Sequence, residues 1–489
     1  MHSIPQHACS SFFDSLHAMQ RQFEVRRSAL LVGIFVLAMC PTSLAQATDD
    51  PALQRLITLQ RLYYDRPTLS TQEERDRFCK TWTWLIGEMK VDRLSNDPQS
   101  LKRALECNQI LQLVNKTKLT PYSDPRFDML RDRLEDRVIA AIRALNLKLP
   151  NRPVVGTLPV PYLNAKVIRV RNAKRSLIIL NNEVFRLPYD TGKAVVEAID
   201  FHGGGQGATY ATTEKKEISA YLDRNPAVVG NLEFAVLRYL HQLTSPPPDG
   251  PPSFNTDLGI FKSELYYRLV DAVEIFVLAH EFAHVLLEHS PERHLSLLMR
   301  GSKASTLNVD EIVYSWRQEF EADAYGFLIL EAVLRQDSLR RNWKEDPFYP
   351  FLLSAPAFFF LSMQLVENGK AILETGHPMP AISEEDVELV KKALDEHFDE
   401  KKAPQRTNEK RLAGTKSHPP FVVRFVQAQL LEQEAKSLFF KDHKLPPGTQ
   451  QVHRFAELFQ DTLEILFEKV NSRMKQRFDG SNAANSAKQ

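Results

Sequence analysis

The chain carries no surplus of charge: its 489 residues include 62 Lys+Arg and 61 Asp+Glu, a formal net charge of +1 at pH 7. No strong global field therefore draws it to nucleic acid or to an anionic membrane surface. No internal repeat of helical-hairpin length is present. With 43% hydrophobic and 25% charged residues, the composition excludes disorder and fibrous architecture as descriptions of the whole. Cysteine is sparse, four residues in all. Beyond the N-terminal segment, the longest apolar run, Phe351 to Val366, is too short for a bilayer and contains Ser354, Pro356, Ser362 and Gln364, which reads as a buried core helix. At this length the chain can bury a large core or divide into two or three domains.

Near the start, the apolar stretch Ala29 to Met39 follows Arg26-Arg27 and precedes Pro41 and Ala45-Gln46-Ala47. A basic flank, a short apolar run and a small-x-small exit predict a signal peptide over residues 1–47, cut near Ala47, and a periplasmic or secreted mature chain. An uncleaved anchor is the competing reading. A start at Met19 in place of Met1 would give a leader of ordinary length. Cys9 and Cys40 leave with the leader, so Cys79 and Cys107 remain, either as a disulfide or as two buried thiols.

Apolar residues recurring at three and four, as in Phe127 to Ile139, predict an N-terminal helical region over 48–150. The period then changes. Ala165 to Val170, Ser176 to Leu180 and Val184 to Leu187 read as short antiparallel strands, which places a small sheet with glycine- and proline-rich loops in 151–250. Phe201 to Gly207 is a glycine loop without the residues of a phosphate cradle, and Ser245 to Pro252 is a linker. Residues 251–489 read as a nearly all-helical half, ending in an amphipathic helix over roughly Arg454 to Phe478 and a polar, frayed tail. The expected fold class is mainly α with a small antiparallel β-sheet.

Within a helical pattern running from near Ser263 to Ser290 stands Ala279-His280-Glu281-Phe282-Ala283-His284. Residues four apart on a helix differ by about 40° in azimuth, so the imidazoles of His280 and His284 can hold one ion while Glu281 lies beside them. Two neutral nitrogens to fix zinc and one carboxylate to take a proton are what zinc-assisted hydrolysis needs. The bare pattern is only moderately specific, so a third ligand is the test. Metzincins would require Gly and His at the positions of Leu287 and Ser290, which excludes that class. Gluzincins take a Glu from a following helix, and Gln318-Glu319-Phe320-Glu321-Ala322-Asp323 supplies Glu319 and Asp323 four apart on one face, one to bind zinc and the other to receive a ligand histidine's N–H. Glu321 projects about 200° from Glu319 and is the weaker candidate.

His280-Glu281-x-x-His284 followed by Glu319-x-x-Ala322-Asp323 resembles the HtpX and CAAX-prenyl-protease family of gluzincin metallopeptidases, which includes soluble periplasmic members. Downstream, Ser417-His418-Pro419-Pro420-Phe421-Val422-Val423-Arg424 is similar to that family's His-Pro with an Arg six residues after the His. The resemblance covers about 265–428. It implies one zinc ion per chain on His280, His284 and Glu319, Glu281 as general base, Asp323 orienting a ligand imidazole, and His418, Arg424 or both hydrogen-bonding the oxyanion. The implied activity is that of a zinc metalloendopeptidase with a protein or peptide substrate. An adaptor or chaperone-like envelope protein with a latent zinc site, and a zinc hydrolase of non-peptide bonds, are the alternatives. His289 lies about 140° from His284 on a straight helix and could join the site only past a bend or a helix end, so a structural or dipole-capping role is its simpler reading.

Overall fold

The computed structural model describes residues 50–64, 66–76, 78, 119–160, 163–202, 209–210, 214–242, 258–289, 293–300, 306–313, 316–340, 348–379, 421–442 and 450–486. The leader over 1–47, Cys79 and Cys107, the glycine loop beyond His202, the Ser245 to Pro252 linker and His418 lie outside the described residues. The described residues are mainly helical with a small mixed sheet. They fall into two compact units, one drawn from 50–137 and 150–183, the other from 138–149 and 184–486.

In the first of these, helix α1 (Pro51–Arg61) starts on Asp50, whose Oδ1 accepts the Ala52 N–H at 2.9 Å, and has Pro51 in its first turn, where a missing N–H costs nothing. The first part of helix α2 (Pro125–Ala144), as far as Arg137, follows, then β1 (Val154–Leu158), β2 (Ala165–Ile168) and β3 (Leu177–Asn181). The sheet order is β1-β3-β2, with β1 parallel to β3 from Val154↔Leu177 to Leu158↔Asn181 and β2 antiparallel to it. Ala52 and Leu53 of α1, with Leu56 one turn further on the same stripe, bury against Val154, Leu158, Leu177 and Ile179. Gln60 at the end of that stripe donates to the Thr157 carbonyl at 3.1 Å, tying helix to strand through a buried amide.

Two sequence expectations are corrected here. The sheet is mixed rather than antiparallel, because β1 is buried along its whole length and so shows none of the alternation that marks a half-exposed strand. Val184 to Leu187 is not a strand but the opening of helix α3 (Glu183–Ala198). A short apolar run cannot be told from a buried helix segment by period alone, and Val184, Phe185, Leu187, Ala194, Val195 and Ala198 are all buried on that helix. With β1–β3 assigned to the first unit and α3 onward to the second, 151–250 does not form a region of its own.

The second unit holds α3, a two-residue ladder of β4 (Phe201–His202) and β5 (Thr209–Tyr210), and helices α4 (Lys215–Arg224), α5 (Pro226–Gln242) and α6 (Gly259–Leu286). An antiparallel hairpin follows, β6 (Arg293–Arg300) with β7 (Thr306–Val313), and then α7 (Trp316–Arg340), α8 (Tyr349–Leu352), α9 (Ala355–Thr375), α10 (Phe421–Asp442) and α11 (Gln450–Ser486). The hairpin overturns the expectation of an almost purely helical half. Its signal was legible in Leu307 and Val309 alternating with Asn308 and Asp310. Helix α11 likewise runs through the tail expected to fray.

Helix α9 lies against α5, α6, α10 and α11. It is apolar round most of its circumference and buried accordingly, with Phe358 and Phe360 at 0% exposure. Each such side chain contributes about 1.5–3 kcal/mol by leaving water. The rings of Phe276 on α6 and Phe360 meet edge to face at 5.6 Å. Helix α6 is buried all round over its C-terminal half, from Val273 to Ala283. The His-Glu-x-x-His pattern therefore sits on a central helix rather than on a surface one. Among the described residues, no helix is long and apolar enough to cross a membrane.

Candidate metal centre

The last turns of α6 and the first turns of α7 bring His280, His284 and Glu319 together, all three buried. His280 Nε2 is 3.1 Å from His284 Nε2 and 3.6 Å from Glu319 Oε2, and His284 Nε2 is 3.7 Å from Glu319 Oε1. Donors bound tetrahedrally at about 2.0–2.1 Å from one ion stand about 3.3–3.4 Å apart. The two nitrogens stand close to that value, while each imidazole meets a different oxygen of Glu319; with one donor atom from each residue within 4.8 Å of the others, the triad could close on one small cation.

The other nitrogen of each imidazole decides whether Nε2 has a free lone pair. His280 Nδ1 donates to Asp323 Oδ1 at 2.9 Å, an acceptor-only partner that keeps the proton on Nδ1 and the lone pair on Nε2. Burial opposes protonation of His280, but Asp323 outweighs it and raises the imidazole's basicity. Burial, and then the neighbouring His280, push His284 well below the usual histidine range, so it is neutral at pH 7. Its Nδ1 lies 2.9 Å from Nδ1 of His289. His289 Nε2 in turn lies 3.1 Å from Glu321 Oε2.

Arg424, from the first turn of α10, enters from the third side. Its Nε donates to Asp323 Oδ2 at 2.8 Å and Nη2 to Asp323 Oδ1 at 2.5 Å, a bidentate fork, while Nη1 stands 3.3 Å from Glu319 Oε2. Nη2 is also 3.4 Å from His280 Nδ1, but both atoms carry protons, so that approach is proximity and not a hydrogen bond. The guanidinium stacks over Phe360 with Cζ 4.6 Å from the ring centroid. Burial disfavours its charge, yet Asp323 and Glu319 more than offset this and raise its pKa, with Glu281 contributing in the same direction. Gln427, one turn on, donates to the Phe320 carbonyl at 2.8 Å and fixes α10 against α7.

Of the residues singled out in the sequence, His280, Glu281, His284, Glu319, Asp323 and Arg424 are therefore gathered in one buried cluster. Two positions were not assigned this part. Gly326 continues the face of Glu319 and Asp323, and a Cβ there would stand 3.1 Å from the backbone nitrogen and Cα of His280. Its lack of a side chain lets α7 approach α6 at the first histidine; the spacing 319, 323, 326 was the available signal. Glu321, on the opposite face, reaches His289 and not the triad.

His289 arrives there because α6 ends early, at Leu286. Glu288 takes a left-handed conformation, φ 51°, with its N–H donating to the Val285 carbonyl at 3.3 Å and the His289 N–H donating to the His284 carbonyl at 3.1 Å. This is a Schellman closure built on a glutamate instead of glycine. The expected continuation to Ser290 fails because no glycine announces the stop.

The described donors, two imidazoles and a carboxylate with both imidazoles oriented from behind, can hold a metal ion. Compared with protein-family models, curated proteins and solved structures, the chain matches none of them.

Proposed function

We propose that the chain is an exported zinc-dependent endopeptidase of the gluzincin type. The observation that carries the reading is the buried grouping of His280, His284 and Glu319, one donor atom from each within 4.8 Å of the others, with Glu281 next in sequence to the first ligand. A set of two nitrogens and one oxygen from the protein suits a catalytic zinc better than a closed structural one with four protein donors. When bound, zinc supplies Lewis acidity, lowering the pKa of water from about 15.7 toward 7 and polarising an acyl oxygen.

This chain's residues do the remainder. His280, His284 and Glu319 hold the ion, and Asp323 keeps His280 in the tautomer whose Nε2 faces it. The Glu281 carboxylate, buried at 4% exposure, accepts the proton of the attacking water and delivers it to the departing amine. Arg424 spends its fork on Asp323 and Glu319, so its part is to hold the two carboxylates in place. The resemblance adds His418 as a donor to the oxyanion. Export rests on the N-terminal leader pattern.

The test is zinc content and cleavage of an unfolded protein such as casein, measured on wild type and Glu281→Gln. One zinc per chain in both is expected, with hydrolysis lowered at least about 100-fold in the variant. A fully active Glu281→Gln enzyme would sink the mechanism, and an absence of zinc in wild type would sink the site.

A further inference from the structure

The two imidazoles of the triad are held from behind in different ways. His280 has a carboxylate directly on Nδ1. His284 has a second imidazole, His289, at 2.9 Å, and only behind that a carboxylate, Glu321, at 3.1 Å. We propose that His289 and Glu321 are positioning residues for the metal centre, forming a relay that fixes the tautomer and ring orientation of His284. The proposal rests on the metal-binding reading of the triad.

The proton count along the chain allows one arrangement with His284 as ligand. With its Nε2 lone pair facing the ion, His284 carries its proton on Nδ1 and donates it to Nδ1 of His289. His289 must then carry its own proton on Nε2 and donate it to Glu321 Oε2, an acceptor-only group. Each member dictates the protonation of the next, and no change of charge is needed. The His284 and His289 rings meet nitrogen to nitrogen at 2.9 Å with centroids 5.1 Å apart and planes inclined at 68°, so the two ring edges face one another, twisted about the line of the hydrogen bond.

The same geometry excludes His289 as a fourth ligand. Its contact is with Nδ1 of His284, on the far side of that ring from the Nε2 that faces His280 and Glu319. His289 is buried with a side-chain exposure of 6%, whereas Glu321 is 25% exposed, so the relay begins at the triad and ends toward solvent. Three features absent from a plain helix make it: the early stop of α6, the left-handed Glu288 and the outward face of α7.

The experiment is zinc affinity of the full chain, by competition with a chelator, together with the visible spectrum of the Co2+-substituted protein. His289→Phe fills the volume and accepts nothing; it should weaken zinc binding about 10–100-fold and alter the Co2+ bands. His289→Gln, whose amide oxygen can still accept from His284, should recover most of both. Glu321→Ala should weaken binding, and Glu321→Gln, which still accepts from His289, should stay close to wild type. If His289→Phe does not fold, the partly exposed Glu321→Ala decides. Binding and spectra unchanged in His289→Phe, or in Glu321→Ala where only that variant folds, would overturn the relay while leaving the triad standing. A wild type that binds no zinc would overturn both.

Discussion

At the scale of single residues, the centre is a balance of buried charge. Asp323 and Glu319 lie at 2% exposure, and Arg424 at 7% faces both. Removing one member of such a set strands the others in a poorly solvated site, so Arg424→Met should lower the stability of the metal-free protein by about 3–5 kcal/mol. The double variant Arg424→Met/Asp323→Leu should lose less than the two single losses added together, since the carboxylate left most exposed to that loss is gone. Chemical denaturation of the three proteins measures this, and strictly additive losses would show that the ion pair is not coupled. His280 with His284, and Glu319 with Asp323, were legible because helical spacing of four places each pair on one face before any fold is known, and Glu281 as the immediate neighbour of His280. Arg424 was legible as a site residue but not in its contacts. That it grips Asp323, 101 positions earlier, depends on where α10 enters the site.

At the scale of elements, the site is the seam between α6 and α7, and Gly326 sets its width. Alanine there gains about 0.8–1.0 kcal/mol of helix propensity and meets backbone at 3.1 Å, which must yield by a few tenths of an ångström. Overpacking of that kind costs about 1–3 kcal/mol, so the two offset one another to within about 2 kcal/mol in stability. They do not cancel in geometry, because Glu319 and Asp323 ride on the displaced face. Gly326→Ala should therefore change the unfolding free energy by less than about 2 kcal/mol while loosening zinc measurably in a chelator competition; unchanged zinc affinity would mean that the seam tolerates the methyl. Helix α2, whose apolar residues from Phe127 to Ile139 recur at three and four, could be read from its residues. The strand β1 and the opening of α3 could not, since an apolar run buried on every side reads alike in both conformations.

At the scale of the whole molecule, a ligand bound only by the folded chain adds to its stability by mass action. Free zinc at 100 times its dissociation constant should add about 2.7 kcal/mol, seen in calorimetry as a higher unfolding temperature that falls on chelation and returns on adding zinc back. Glu319→Ala should abolish the response. Identical thermograms with and without chelator in wild type would argue against a metal in the folded state. The near-neutral balance of 62 basic and 61 acidic residues bears on partners rather than on fold, since it supplies no global field to draw in a polyanion.

The metal-binding pattern was readable in one dimension because its chemistry depends on neighbours three and four apart, a distance that a helix converts into a shared face without help from the remainder of the chain. The mostly helical character followed from the same periodicity. Everything that joins segments distant in sequence waited for packing: the parallel pairing of β1 with β3, the close approach of α7 to α6 at Gly326, and the fork of Arg424 on Asp323. The return of His289 to His284 belongs with these although the two are only five residues apart. It needed Glu288 to accept a left-handed backbone that costs about 1–2 kcal/mol for an L residue, a strain that propensity argues against and that only the surrounding contacts can hold.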